Sequence, residues 1–132
     1  MKDLIMTLAV YEPGVDYAKK LISEGKVSFV EGEWHLINPG TAAQDAFIEE
    51  NGIRAWGLWH LAYHPDGDPD AKDDYEFPYG NYKTVCREGL VAAESRAKQY
   101  HHEQIRQAAL ELIRLADAAL GLPTTDVPGS DD

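Results

Sequence analysis

Apolar residues recur along this chain at two spacings, and the change from one to the other marks the predicted elements. The 3.6-residue repeat of a buried helix face is clearest over residues 103–120, where Ile105, Ala108, Ala109, Leu112, Leu115, Ala116 and Ala119 form one stripe. Gly121 and Pro123 then stop the helix. Residues 84–100 repeat the pattern at Cys86, Leu90, Ala93 and Ala97, with Arg87, Glu88, Glu94 and Lys98 elsewhere on the surface. Gly89 costs such a helix about 1 kcal/mol relative to alanine, which implies a close packing contact at its turn. A shorter helix over residues 15–24 buries Ala18, Leu21 and Ile22, turns Lys19, Lys20, Ser23 and Glu24 outward, and stops at Gly25.

Between these repeats the pattern shortens. Residues 26–37 alternate at Val27, Phe29, Trp34 and Leu36, with Glu31-Gly32 placed to turn the chain, and predict a small hairpin. The apolar run 4–11 before Pro13-Gly14 fits a buried strand or a docked turn equally well. Thr41 with Gln44 matches a capping box and predicts a helix over 42–51 that buries Ala43, Phe47 and Ile48. Trp56 and Trp59, three apart within 53–63, predict a helical turn with both indoles in the core. Residues 65–74 hold two prolines, a glycine and five aspartates and predict a solvated loop. The fold expected is α+β and mainly helical: four to five helices with a small β-hairpin or short sheet in the N-terminal half. Residues 1–120 are expected to form a single globular domain and 121–132 a disordered acidic tail.

Composition narrows the function classes. The net charge of −11 is uneven: residues 1–76 carry fifteen acids and six bases, whereas 77–120 carry five and six. Such a chain attracts nucleic acid poorly as a whole, although a basic patch on the second half is compatible with it. The apolar run 4–11 is too short to cross a bilayer, which needs about 20 residues, and lacks a cleavage pattern, so a cytoplasmic location without membrane partners is expected. Cys86 is the single cysteine and reads as a core residue, although Arg87 beside it would activate the thiol if both were exposed.

Candidate chemistry is sparse. Asp66, Asp68 and Asp70 alternate as in a calcium loop, but Ala71 stands where its glycine belongs and Phe77 where its bidentate glutamate belongs. His60 and His64 have zinc-protease spacing without the intervening glutamate, and Pro65 ends any helix there. No cofactor motif is present in the sequence, so none is assigned. The densest feature is residues 75–82, with four aromatics around Pro78 and Gly80. It reads as a rigid corner orienting the next helix, or as an aromatic surface presented to a partner.

The run Tyr75-x-Phe77-Pro78-Tyr79-Gly80-Asn81-Tyr82, continued by Val85, Arg87, Gly89-Leu90, Ala92-Ala93-Glu94-Ser95-Arg96-Ala97, Gln99-Tyr100 and His102, resembles a family of small uncharacterised bacterial proteins. A weaker likeness at Trp34, Phe47-Ile48 and Trp59-His60-Leu61 extends it to about residues 15–120. Asn81 and Cys86 stand where that family more usually has aspartate and histidine. The aromatic-proline segment with its Ala-rich basic helix is also similar, over a shorter stretch, to modules of phage head-associated proteins. The family resemblance implies a unit ending in two packed helices and brings no activity, cofactor or catalytic residue with it.

The function expected is a non-enzymatic accessory or adaptor protein. It binds a macromolecular partner, a protein first, through the 75–82 corner and the 84–100 helix, with Tyr79, Tyr82, Lys83, Arg87, Arg96 and Lys98 in contact. Homo-oligomerisation is compatible with this. The alternatives are a nucleic-acid-binding module using Lys83, Arg87, Arg96 and Lys98 on phosphates, and a metal-dependent enzyme using His60, His64 and nearby acids.

Overall fold

The structure is a computed structural model and describes residues 7–30, 32 and 34–122. The fold is α+β and mainly helical. Strand β1 (Ala9–Val10) leads into helix α1 (Glu12–Ser23), whose buried Ala18, Leu21 and Ile22 are the face its repeat predicts, with Val15 buried beside them. Pro13 sits in the first turn, where its missing N–H has no helical partner to lose. Of the run 4–11, residues 4–6 lie outside the described residues and 9–10 are strand, so the strand alternative holds for that part.

Strand β2 (Val27–Ser28) does not turn back on itself. Its partner is β5 (Val85–Cys86), which lies parallel to it with Val27 beside Val85 and Ser28 beside Cys86. Residues 34–37, expected as the return strand, form a single helical turn, α2 (Trp34–Ile37). Alternation sets which way side chains point and is silent about which strand lies alongside, so a long-range parallel partner displaces the hairpin.

Helix α3 (Thr41–Asn51) is capped differently from the expected box. Gly40 is its N-cap without a side-chain hydrogen bond, and the Gln44 amide donates to the Pro39 carbonyl at 3.4 Å. None of its residues is buried; Ala43 is exposed, and Phe47 and Ile48 are half-buried. Helix α4 (Ile53–Gly57) stops early, and the chain extends as β3 (His60–Tyr63), which departs from the helical turn predicted through 63. Trp56 and Trp59 are nonetheless both buried. β3 is the centre of a three-stranded antiparallel sheet, ordered β1-β3-β4, with β4 at Tyr75–Pro78. The acidic segment between β3 and β4 is loop except for a 3-10 turn at Lys72–Asp74.

Helices α5 (Arg87–Gln99) and α6 (Glu103–Leu120) form an antiparallel pair that completes the core. α6 ends where its sequence predicts, with Gly121 in the left-handed conformation at φ 74. Its buried face is wider than predicted: Ile105, Ala109, Leu112 and Ala116 are buried, and so are Leu110 and Ile113, whereas Leu115 is 39% exposed and Ala119 is exposed. α6 lies between α1 and α5 and also meets the sheet strands, so two flanks of the helix are covered instead of one. Two ion pairs cross from α5 to α6: Arg87 to Asp117, and Arg106 Nε to Glu94 Oε2 at 2.9 Å. Both carboxylates are almost wholly buried and each meets a guanidinium, as buried charge requires.

Candidate binding cleft

The 75–82 corner is built around one inward-facing side chain. Tyr79 is fully buried, and its hydroxyl donates within reach of two carbonyls, Leu58 at 2.7 Å and Gly14 at 3.1 Å. Those bonds join α1, the α4–β3 junction and the corner, and burial raises the phenol far above its usual range. Beyond Tyr79, Gly80 pairs with Val85 across a tight turn. Asn81 Oδ1 accepts the backbone N–H groups of Lys83 at 3.0 Å and Thr84 at 2.7 Å, an Asx turn that its short side chain suits. A Cβ on Gly89 would lie 2.9 Å from the Tyr79 carbonyl oxygen, so the close contact implied by a glycine inside α5 is with the corner itself.

This arrangement separates the sequence-predicted contact residues. Tyr79 faces the interior and is unavailable to a partner, because its ring and hydroxyl hold the corner together. Arg87 is turned inward onto Asp117, with a second bond from Nη2 to Oδ2 at 3.3 Å, and its guanidinium also stands over the Phe29 ring. Its place beside the fully buried Asp117 gives it a structural partner that the sequence did not reveal. Lys83, Arg96 and Lys98 are exposed. Tyr82 is half-buried, stacks on Phe47 with ring centroids 4.7 Å apart, and accepts the Trp56 indole N–H at 2.9 Å.

Along one flank of β4 lies an open cleft of about 750 Å³. One wall is the outward face of α5, with Ala92, Ser95, Arg96 and Gln99; the other is the segment carrying Trp34, Asn38, Pro39 and Gln44. Tyr75, Glu76, Phe77 and Pro78 line it between the walls, with Trp56, His60 and Tyr82 at one end. Two of the predicted contact residues, Tyr82 and Arg96, therefore meet at one site, and Tyr79 and Arg87 do not. Ser95, Arg96 and Gln99 are all exposed donors within one helical turn. Among the described residues no carboxylate stands within ion-pair distance of Arg96, whose guanidinium lies 5.8 Å from the Tyr100 ring centroid. The 3.6-residue spacing of Ala92, Ser95 and Gln99 was a readable signal for this wall. The Trp34–Gln44 wall had none, since its position depends on the unforeseen β2–β5 pairing.

The titratable groups here are set by their surroundings. His60 is buried against Trp56 and Tyr75, and burial lowers its pKa to about 4, with hydrogen bonds to the Gly57 and Trp56 backbone working the other way. Burial pushes the Tyr75 hydroxyl up to about 12. Cys86 is buried beside Ser28 and Thr84, and burial raises its thiol, so Arg87 does not activate it.

His60 and His64 do not meet. Four residues of extended chain separate them by about 13 Å, and His60 bonds the Trp56 carbonyl while His64 bonds Glu76. Among the described residues no group of three or more histidines, cysteines or acids is placed to hold a metal ion. In the acidic loop, Asp68 accepts the backbone N–H of Asp70, and Asp70 takes both prongs of Arg54.

No family model matches the chain, and neither a curated protein nor a solved structure matches it. Among the described residues no helix is long and apolar enough to cross a membrane.

Proposed function

We propose that this chain is an adaptor whose cleft between the 75–82 corner and α5 receives an extended segment of a partner protein. The observation that carries this reading is the convergence of two independently built walls on one open cleft of about 750 Å³. Its exposed donors Ser95 and Gln99 flank Arg96, which has no carboxylate within ion-pair distance among the described residues. Carboxamides, a hydroxyl and a guanidinium beside partly exposed aromatic and proline surface suit a peptide main chain with an acidic side chain among its residues. The rigid corner favours this use, because a preformed site spends less binding energy on ordering itself.

An extended segment fits better than an added β-strand. β4 is the outer strand of its sheet, but Phe77 has φ 64 and Pro78 follows it, so the edge is bent and short of donors. Protein is favoured over nucleic acid by the net charge of −11 and by the engagement of Arg87 with Asp117.

The test is affinity capture from the native host with the full chain, compared with Arg96→Glu and Ala92→Arg, each verified as folded by circular dichroism. Proteins retained by the parent chain and lost from both variants are expected. Identical retention by all three chains rejects the cleft. Retained nucleic acid that elutes steeply with added salt rejects the protein reading in favour of phosphate binding.

A further inference from the structure

His64 follows β3 and stands beside β4, and both of its ring nitrogens point at acceptors. Nδ1 is 3.0 Å from the Thr7 carbonyl oxygen, and Nε2 is 2.8 Å from Oε2 of Glu76. A carbonyl has no proton to give, and an ionised carboxylate has none either. An imidazole with one proton satisfies one of these partners; only the imidazolium satisfies both. The ring is largely buried, so water is a poor substitute for a lost bond.

The charges around it act in one direction. Glu76 on β4 and Asp74 at the end of the 3-10 turn face the ring; among the described residues the segment entering β1 offers the Thr7 carbonyl, and no cation opposes them. Burial alone would lower the pKa of His64, but the Glu76 and Thr7 hydrogen bonds and the two carboxylates outweigh it and raise the value above 6.5. Asp74 is buried with Oδ1 unbonded, and burial raises its own pKa, which weakens but does not reverse its pull on His64.

Glu76 is also part of the cleft, between the walls that hold Arg96 and Trp34. We propose that His64 sets the charge of the cleft: the imidazolium holds and neutralises Glu76, and loss of its proton leaves Glu76 a bare carboxylate in the cleft that Arg96 also lines. An acidic partner segment therefore binds on the acid side of the His64 transition and is released on the alkaline side. This rests on the cleft being the binding site, whereas the protonation of His64 does not.

Two measurements on the full chain keep those claims apart. In the first, the ring nitrogens of His64 are followed by ¹⁵N NMR from pH 5 to pH 9, with His64→Gln for assignment. Two protonated nitrogens at pH 6 are expected, with a midpoint above 6.5 that falls in Glu76→Gln. A nitrogen unprotonated at pH 6, or a midpoint indifferent to Glu76→Gln, overturns the inference. In the second, a phage-displayed library of random ten-residue peptides is selected on the chain at pH 6. Acidic peptides that depend on Arg96 and bind about tenfold more weakly at pH 9 are expected, since one unit charge at close range has roughly that effect. His64→Gln, which has no proton to lose, should hold them equally at both pH values, as weakly as the parent chain does at pH 9. Peptides without acids, or with equal binding by the parent chain at both pH values, refute the coupling to the cleft even where His64 titrates as stated.

Discussion

Adding one methyl group to Gly14 tests how α1 is held on the sheet. A Cβ at that position would overlap the His60 carbonyl oxygen and lie 3.1 Å from both the His60 carbonyl carbon and Tyr11 Cδ2, where carbon contacts relax at about 3.5–4.0 Å. Two of the three obstacles are backbone atoms, so no side-chain rotation relieves the overlap. The helix must lift from β3, an overpacking cost of about 1–3 kcal/mol. Lifting also stretches the 3.1 Å bond from the Tyr79 hydroxyl to the Gly14 carbonyl, worth about 1 kcal/mol. Alanine returns at most about 1 kcal/mol through helix propensity. Gly14→Ala should therefore destabilise the fold by about 2 kcal/mol, read as a urea midpoint lowered by about 1 M at an unchanged slope of about 2 kcal/mol/M. Tyr79→Phe should cost less in the Gly14→Ala background than in the parent, because part of its bond is already lost. A midpoint for Gly14→Ala at or above that of the parent would refute the close approach of α1 to β3.

Asp117→Ala should cost about 3–5 kcal/mol by thermal or urea unfolding, since it removes a fully buried carboxylate and breaks the buried ion pair that joins α5 to α6. The double variant Arg87→Met with Asp117→Leu should recover most of that loss. The pH dependence of stability should show His60 directly. Its folded pKa, about 4, lies below its unfolded value of 6.5, so as pH falls the unfolded chain takes the proton first. Its contribution is complete above pH 6.5 and is lost between there and about 4, on the order of 3 kcal/mol. His64 runs the opposite way: its folded pKa is raised, so its contribution is complete below 6.5 and fades as pH rises through the folded value. Between pH 7 and pH 4.5 a His60→Asn variant should lose less stability than the parent, as measured by urea unfolding; an equal loss would show that His60 is not buried neutral.

Legibility followed the range of the interactions. The predicted face of α1, the apolar stripe of α5 and the ends of α6 emerge because a helix closes its hydrogen bonds four residues away, so its period, its glycine stop and its buried stripe are local properties. Gly89 was informative for the same reason, since a glycine inside a strong helical pattern needs a neighbour too close for a side chain, although which neighbour was hidden. Glu88 and Glu94, expected on the surface of α5, are instead buried, bonded to Val30 N–H and to Arg106 from other segments. The hairpin at 26–37, the long helical turn at 53–63 and the capping box at Thr41 went astray where short segments satisfy two local patterns at once. Val27 and Ser28 alternate correctly for a strand, but the choice of β5 as partner depends on closing a loop of more than fifty residues, which no local repeat encodes.

The cleft shows the same division. The exposed turn Ser95, Arg96 and Gln99 could be read from spacing, and so could the rigidity of the corner around Pro78 and Gly80. Which aromatic turned inward could not: Tyr79 and Tyr82 are chemically alike, and only the carbonyls of Gly14 and Leu58, brought from distant segments, bury the first and leave the second at the cleft. Likewise Arg87 and Arg96 are both basic positions on one helix, and only the arrival of Asp117 from α6 turns one of them into a core partner. By itself the sequence determined the buried face of α1, the apolar stripe of α5, the ends of α6 and the acidic balance, all properties of neighbours along the chain. The tertiary structure decided strand partners, the inward tyrosine, the buried ion pairs and the cleft, because each depends on polar groups that must find partners across the fold once water is excluded.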